Sequence, residues 1–414
     1  MPHIAFVAPH FLENTNRYLS AFAGLEGVKL SVISADPASA LPAALAEKIA
    51  GHYRVQNVGD GAQLARAARA LKASAGPIDR LSGALEQLQL PMAQARDLAG
   101  IPGMGLQIAQ RFRNKDLMKQ VLRAHGVPVA QSALVSSFEE LRRFVRKVGF
   151  PIIVKPQAGL GARSTERVET EADLEALPGL GLTPTHHRPL QAEQFVVARE
   201  HTCETVSIHG KGVWRSGTRY FPSPLEVLET PWVQYCVLLP LEAEPTWTKF
   251  APVNEAALQA LFGPNPQVTG TALTHMEWFL CEDGAMLVNE VGARPPGVHI
   301  MPLMGLTHGG VDMISAWAEL IAFDRFTPRA RTCAGGAAFF RGQGRGDRIV
   351  SVEGVEKAIE LAGGALVELR APKVGQPRAS GYEGEGWATV KHPTTEGAKQ
   401  ALLSLVQNVQ VRYG

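Results

Sequence analysis

The chain has 414 residues, of which 45% are hydrophobic and 19% charged, with a formal net charge of +2. That length holds roughly three domains with room for a large core, and so small a charge offers no electrostatic capture of nucleic acid or of an anionic membrane. The four cysteines, Cys203, Cys236, Cys281 and Cys333, form no C-x-x-C pair, which disfavours thiolate–metal and redox-motif chemistry and leaves buried free thiols. No apolar run approaches the roughly 18 residues of a membrane span, and the N-terminus lacks the basic segment and apolar length of a signal peptide. A soluble protein of a reducing cytoplasm is expected.

In chain order, residues 4–8 read as a buried strand, 14–24 as a helix capped by Asn14, and 28–34 as a second strand ending before Asp36. This β-α-β opening predicts a parallel sheet. An acid after the second strand can meet a ribose in a dinucleotide fold. The turn from Pro9 to Glu13 has no glycine, however, so Asp36 is read as a strand-end cap. Ala-rich helices are expected over 40–50 and 62–74, and a helix or pair interrupted at Pro91 over 81–98. Residues 101–105, Ile-Pro-Gly-Met-Gly, form a breaker. Over 115–125, Leu117, Met118, Val121 and Leu122 share the apolar face of a helix, with Lys119 and Arg123 placed elsewhere, and Gly126-Val-Pro128 ends it. A further helix over 137–148 has Ser137 and Glu140 at capping-box spacing.

An apolar strand then ends on Lys155, and 173–177 is a short helix followed by a Pro/Gly/His-rich loop over 178–189. Strands are expected over 191–197 and 202–209, with a hairpin at His209-Gly-Lys-Gly212 and an irregular aromatic stretch over 214–235. A helix over 254–262 precedes two strands, 271–281 and 286–291, joined at Glu282-Asp-Gly284. Residues 309–323 form an apolar helix, and the Pro/Arg-rich stretch 326–331 marks a boundary. Beyond it, strands at 334–340, 349–352, 365–370 and 386–391 and helices at 355–361 and 396–407 predict a small α+β tail.

The chemistry concentrates between Asn114 and Gly297. The run Ile152-Ile-Val154 delivers Lys155, and Gly159-Leu-Gly-Ala-Arg-Ser164 follows at once. A strand fixes the ammonium, and glycines let backbone N–H groups turn toward phosphate oxygens. The lysine precedes the glycines, so this is not a G-x-x-x-x-G-K-[ST] loop. Glu277 and Glu290 on paired strands can face one side and hold a hard cation such as Mg²⁺, although an isolated pair would be read as exposed strand glutamates. In a regular strand Asn289 points away from Glu290. Arg294, stiffened by Pro295 and Pro296, suits bidentate recognition of a phosphate or carboxylate, with a surface ion pair as the plainer alternative. Lys115 can reach a phosphate from a helix start. Glu193 and Glu200 flank Gln194-Phe-Val-Val-Ala-Arg199, an apolar edge able to line an adenine slot with a second acid for ribose hydroxyls. His275 and His299 are read as structural histidines that could also touch substrate.

In this order the residues resemble the ATP-grasp superfamily over roughly 1–325: Lys115 before Gly126-Val-Pro128, Gly149-Phe-Pro-Ile-Ile-Val-Lys-Pro156 with its glycine-rich loop, the hinge from Glu193 to Glu200, then Glu277, Glu290 and Arg294. The tail is similar to that of biotin-carboxylase-like and L-amino-acid-ligase-like members. The resemblance implies an α/β and α+β chain: an N-terminal Rossmann-like parallel-sheet domain over 1–112, an ATP-grasp domain over 113–325 with its lid at about 129–191, and a C-terminal α+β domain over 326–414. It implies ATP phosphates on Lys115 and Lys155, and a mobile loop containing Gly159, Gly161, Ala162 and Ser164. Adenine would lie against Glu193 and the backbone of Phe195 and Val196, and ribose on Glu200. Mg²⁺, or Mn²⁺, would sit on Glu277 and Glu290, and Arg294 and Lys155 would act on the reacting groups.

The implied activity is an ATP-dependent carboxylate–amine ligase. Its partners would be a small carboxylic acid and an amine, amino acids among them, and the first and last domains offer surfaces for a homodimer. Two departures stand out. The asparagine of the family's Glu-x-Asn is Gly292 here, and its loop Gly-Ser is Gly161-Ala162, which leaves a loop hydroxyl to Ser164. Carboxylation through carboxyphosphate is a second reading, and no Met-Lys-Met carrier motif occurs. A nucleotide-binding protein without turnover is a third, favoured by Gly292 and opposed by the retained lysines and glutamates.

Overall fold

In the computed structural model, residues 1–156, 165–222, 234–241, 245–379 and 383–414 are described. Strands β1 (His3–Val7) and β2 (Lys29–Ser34) pair in parallel around helix Glu13–Ala23, with Ile4 opposite Leu30 and Phe6 opposite Val32. β3 (Gly51–Arg54) and β4 (Arg80–Ser82) complete a parallel sheet of order β3-β2-β1-β4. The predicted β-α-β opening is present. Asp36 accepts from Phe11 N–H at 2.9 Å and meets His10 Nδ1 at 2.9 Å, so it ties two strand-end loops together.

Local expectations fail where tertiary pairing overrides propensity. Asn14 does not cap the first helix, which begins at Glu13 after Leu12 without a side-chain cap. Residues 40–50 hold only the last residue of the turn Ala38–Ala40 and the short helix Ala43–Ala46 before β3 takes the sheet edge. Residues 81–98 begin as β4, and helix Gln89–Ala99 runs through Pro91 uninterrupted. Pro91 lies in the first turn, where its missing N–H costs no intrahelical bond. Helix Leu106–Arg113 was not anticipated and leads directly into Lys115–Ala124.

A second sheet is built from β5 (Ser132–Val135), β6 (Ile152–Pro156), β7 (Glu166–Val168) and β8 (Leu190–Gln194) in the antiparallel order β5-β8-β6-β7. With helix Phe138–Val148 it encloses its own core of Leu141, Phe144, Ile152, Val154 and Leu190.

The main sheet comprises β9 (Ala198–Ile208), β10 (Lys211–Phe221), β11 (Tyr235–Leu239), β12 (Ala272–Cys281), β13 (Met286–Gly292) and β14 (Ala334–Phe340). After the separate strand β15 (Ile349–Glu353), β16 (Leu366–Arg370) and β17 (Gly386–His392) extend it, and β18 (Gln410–Tyr413) pairs with β15. Its order is β13-β12-β9-β10-β11-β14-β17-β16, so hydrogen bonding is continuous across the 326–331 segment. From Trp214 to Phe221 the stretch expected to be irregular is part of β10, and residues 223–233 lie outside the described residues. The expected 309–323 helix is shorter and preceded by another. Ile300–Thr307 ends before Gly309 and Gly310, both at φ 78°, and Asp312 caps Met313–Phe323.

Cys203 and Cys236 are buried, Cys281 and Cys333 half-buried, and all four are free. Among the described residues no helix is long and apolar enough to cross a membrane.

Candidate active site

Three elements bring the predicted polar residues into one cleft. β6 projects Lys155 from the buried Ile152–Val154. Helix Lys115–Ala124 is anchored by Asn114, whose Oδ1 accepts from Asp116 and Leu117 N–H at 3.1 Å each. The β12–β13 hairpin sets Glu277 opposite Glu290. Lys115 is ion-paired with Glu290. Burial alone would raise the Glu290 carboxyl, but Lys115, Lys155 and Arg294 outweigh it and hold it down to about 2.

Glu200, on β9, is half-buried near the same acids. Its carboxyl is pushed well above the ordinary range by burial first and by the Glu277 charge next, with Glu290 adding to the effect. A cation between Glu200 and Glu277 would relieve that repulsion. Among the described residues no group of three His, Cys, Asp or Glu side chains could hold a metal alone. Two carboxylates on paired strands nevertheless fit Mg²⁺, which takes one or two carboxylates and completes its octahedron with water and substrate phosphate.

The hairpin is not regular. Glu277 pairs with Glu290 but Trp278 pairs with Val288, so Asn289 is the extra residue of a bulge. Strict alternation fails there, and the expectation that Asn289 points away is corrected: its Nδ2 lies 3.5 Å from Glu277 Oε2. An amide beside these carboxylates thus comes from Asn289, where Gly292 has no side chain.

Glu193, on β8, accepts from Lys155 Nζ at 2.9 Å through Oε2 and meets Lys119 Nζ at 2.7 Å through Oε1. Lys119 is only 1% exposed. Its placement away from the buried face is therefore corrected: it follows Lys115 by one helical turn and points the same way, covered by β8. Burial pushes the Lys119 ammonium down to about 8 against the pull of Glu193. Glu193 would be raised by burial, yet the two ammoniums hold it down to about 2. At neutral pH Lys119 and Glu193 both carry charge. The β8–β9 connection follows, with Phe195 N–H donating to Pro151 O at 3.2 Å and Arg167 stacked over the Phe195 ring at 4.2 Å. Val196 is half-buried. Gly159, Gly161, Ala162 and Ser164 lie outside the described residues.

Arg294, just past β13, donates to Glu86 through Nε at 2.8 Å and Nη2 at 2.5 Å. Arg113 pairs with the other oxygen of Glu86. One carboxylate thus holds two guanidinium groups ready at the cleft edge. Behind Glu277 stands a buried relay: fully buried Glu204 meets His275 Nδ1 at 2.8 Å, and His275 Nε2 is 3.7 Å from Glu277. Burial would lower His275, but Glu204 and Glu277 raise it to about 9. His299 packs its ring against Trp387 at 4.2 Å, and burial with the Arg17 charge pushes it down to about 4.

Lys119, Arg113, Glu86 and Glu204 escaped the sequence reading. The four-residue spacing of Lys115 and Lys119 carried a signal. Glu86 had none, being 208 residues from Arg294.

A parallel opening sheet, a small antiparallel four-stranded sheet and a large antiparallel sheet carrying paired glutamates define the ATP-grasp fold. The chain has that fold. Residues 114–197 match the family model for the carbamoyl-phosphate synthase L chain, ATP binding domain. The L-arginine-specific L-amino acid ligase of Bacillus subtilis is 28% identical over 229 residues, covering 54% of this chain and 52% of that protein. The chain therefore spans about half the length of this curated relative. The crystal structure of an L-amino acid ligase from Bacillus licheniformis superposes with TM-score 0.74 at 17% identity, over 100% of this chain and 99% of that one. N5-carboxyaminoimidazole ribonucleotide synthetase from Thermotoga maritima gives 0.68 at 19% identity over 100% of both chains.

Proposed function

We propose that this protein is an ATP-dependent ligase that activates a carboxylate as an acyl phosphate and joins it to an amine, releasing ADP and phosphate. The convergence of Lys115, Lys155, Glu277 and Glu290 from separate parts of the chain into one cleft carries this reading. The match to an ATP-binding domain over 114–197 supports the nucleotide, and the L-amino acid ligase relative supports an amino acid among the substrates.

A carboxylate and an amine at neutral pH form only a salt. In the first step a carboxylate oxygen attacks the γ-phosphorus of ATP, the bond to the β-phosphate oxygen breaks, and ADP leaves. In the second, the amine nitrogen attacks the acyl carbon, the bond to phosphate breaks, and the nitrogen loses a proton. Catalysis is then mainly positioning and charge stabilisation. Lys115 and Lys155 bind the phosphates. Glu193 with the backbone of Phe195 and Val196 faces adenine, and Glu200 faces ribose. Glu277 and Glu290 would hold Mg²⁺ or Mn²⁺, which supplies positive charge to the phosphates when bound. Arg294 exchanges Glu86 for the acid or its acyl phosphate, a bidentate partner of the same chemistry. The lid sheet keeps water from the activated acid.

Phosphate release from Mg²⁺-ATP, measured across a matrix of carboxylic acids and amines with bicarbonate as one acid, tests the reading. Release that requires both an acid and an amine is expected. Release that requires bicarbonate would replace the ligase reading with carboxylation, and silence from protein that binds ATP would remove turnover altogether.

A further inference from the structure

Glu193 serves two ammoniums at once, Lys155 at 2.9 Å on one oxygen and Lys119 at 2.7 Å on the other. Its side chain is 6% exposed. In the reading above, Lys155 turns onto an ATP phosphate. If Lys155 were the sole partner of Glu193, that turn would strand a buried carboxylate, and the loss would be set against nucleotide binding. Lys119 removes this obstacle. Its helix is fixed at the first turn by Asn114, and among the described residues Glu193 is the only carboxylate in ion-pair contact with it.

We propose that Lys119 is a positioning residue of the ATP site: it is the standing counter-ion of Glu193 and thereby frees Lys155 for the phosphates. The inference rests on the ATP-binding reading. It assigns Lys119 no contact with nucleotide. A buried pair that only fastened β8 to the helix would predict a loss of stability without a specific coupling to Lys155.

The test is the affinity for Mg²⁺-ATP, by titration calorimetry on the full chain, of the wild type, Lys119→Met, Glu193→Gln and the double variant, with Lys119→Arg as the conservative control. Lys119→Met should bind at least about tenfold more weakly, because Glu193 then retains Lys155. In the double variant no carboxylate holds Lys155, so affinity should recover above that of Lys119→Met, and Lys119→Arg should stay near wild type. The KM for the acid should not follow the ATP effect.

Unchanged affinity in Lys119→Met, or losses that multiply in the double variant, would overturn the inference. The double variant removes both charges from the core, so it and Lys119→Arg decide the matter if Lys119→Met does not fold. A wild type that fails to bind Mg²⁺-ATP sinks the nucleotide reading and this inference with it. Binding in the wild type, with no coupling between the two positions, sinks only this inference.

Discussion

Glu193→Ala should be the most destabilising single change in the cleft. It leaves two ammoniums facing each other, Lys155 at 14% and Lys119 at 1% exposure. Breaking a buried pair by removing one partner costs about 3–5 kcal/mol. Lys119 has one escape, which is to shed its proton. Driving a lysine of ordinary value near 10.4 to neutrality at pH 7 costs about 5 kcal/mol, which caps the loss. Lys155→Ala is the internal control. It leaves the Glu193–Lys119 pair in place and should cost no more than about 2 kcal/mol.

The sign of the pH dependence is specific. A lysine held below its unfolded value gains folded stability as pH rises. In the wild type that gain begins near pH 8, where Lys119 titrates. In Glu193→Ala, where Lys119 is already neutral, it is under way at pH 7. The deficit of Glu193→Ala should therefore shrink by about 1 kcal/mol between pH 7 and pH 8. Urea unfolding followed by circular dichroism at both pH values measures it. Equal stability of the two alanine variants, or a deficit flat with pH, would refute the assignment of Lys119 as a buried ammonium dependent on Glu193.

Three further outcomes are expected. Lys155→Ala and Glu290→Ala should each abolish ADP release in folded protein, and near-native turnover in either would remove that residue from the site. Arg294→Ala should lower turnover at saturating acid by about 10²-fold or more while ATP affinity changes little, as for loss of a transition-state contact; equal losses in both would move Arg294 to the nucleotide. His308, in the core against Trp214, is pushed down to about 4 by burial first and by Arg331. Its unfolded value near 6.5 is higher, so its contribution is full above pH 6.5 and is lost as pH falls toward 4, by about 3 kcal/mol. A His308→Gln variant should show a correspondingly shallower loss of urea stability between pH 7 and pH 4; parallel profiles for the two proteins would disprove a neutral buried imidazole.

What could be read from the sequence and what could not divide along a physical line. The strands that carry Lys155, Glu277 and Glu290, and the first strands, were legible because each is a segment whose local pattern decides its structure: an apolar run, a tight hairpin or a β-α-β alternation. The misses arise where a distant partner decides. Residues 40–50 have helical composition, yet the segment ends on Ala50, whose N–H donates to Leu30 O and leads into Gly51–Arg54 paired in parallel with β2. Asn289 obeys alternation until a bulge, set by how two strands fit, turns it back toward Glu277. Lys119 looks solvated on a helical wheel, because no wheel shows that a strand 74 residues onward will bring Glu193 over it. Glu86 is the extreme case, since one of the two arginines it meets, Arg294, lies just past β13, far along the chain. Ionisable groups buried by long-range packing are thus the ones local pattern hides, and here they are the groups that set the charge balance of the cleft. A sequence reading of such a site recovers the side chains that would meet ligand more readily than those that hold them in place.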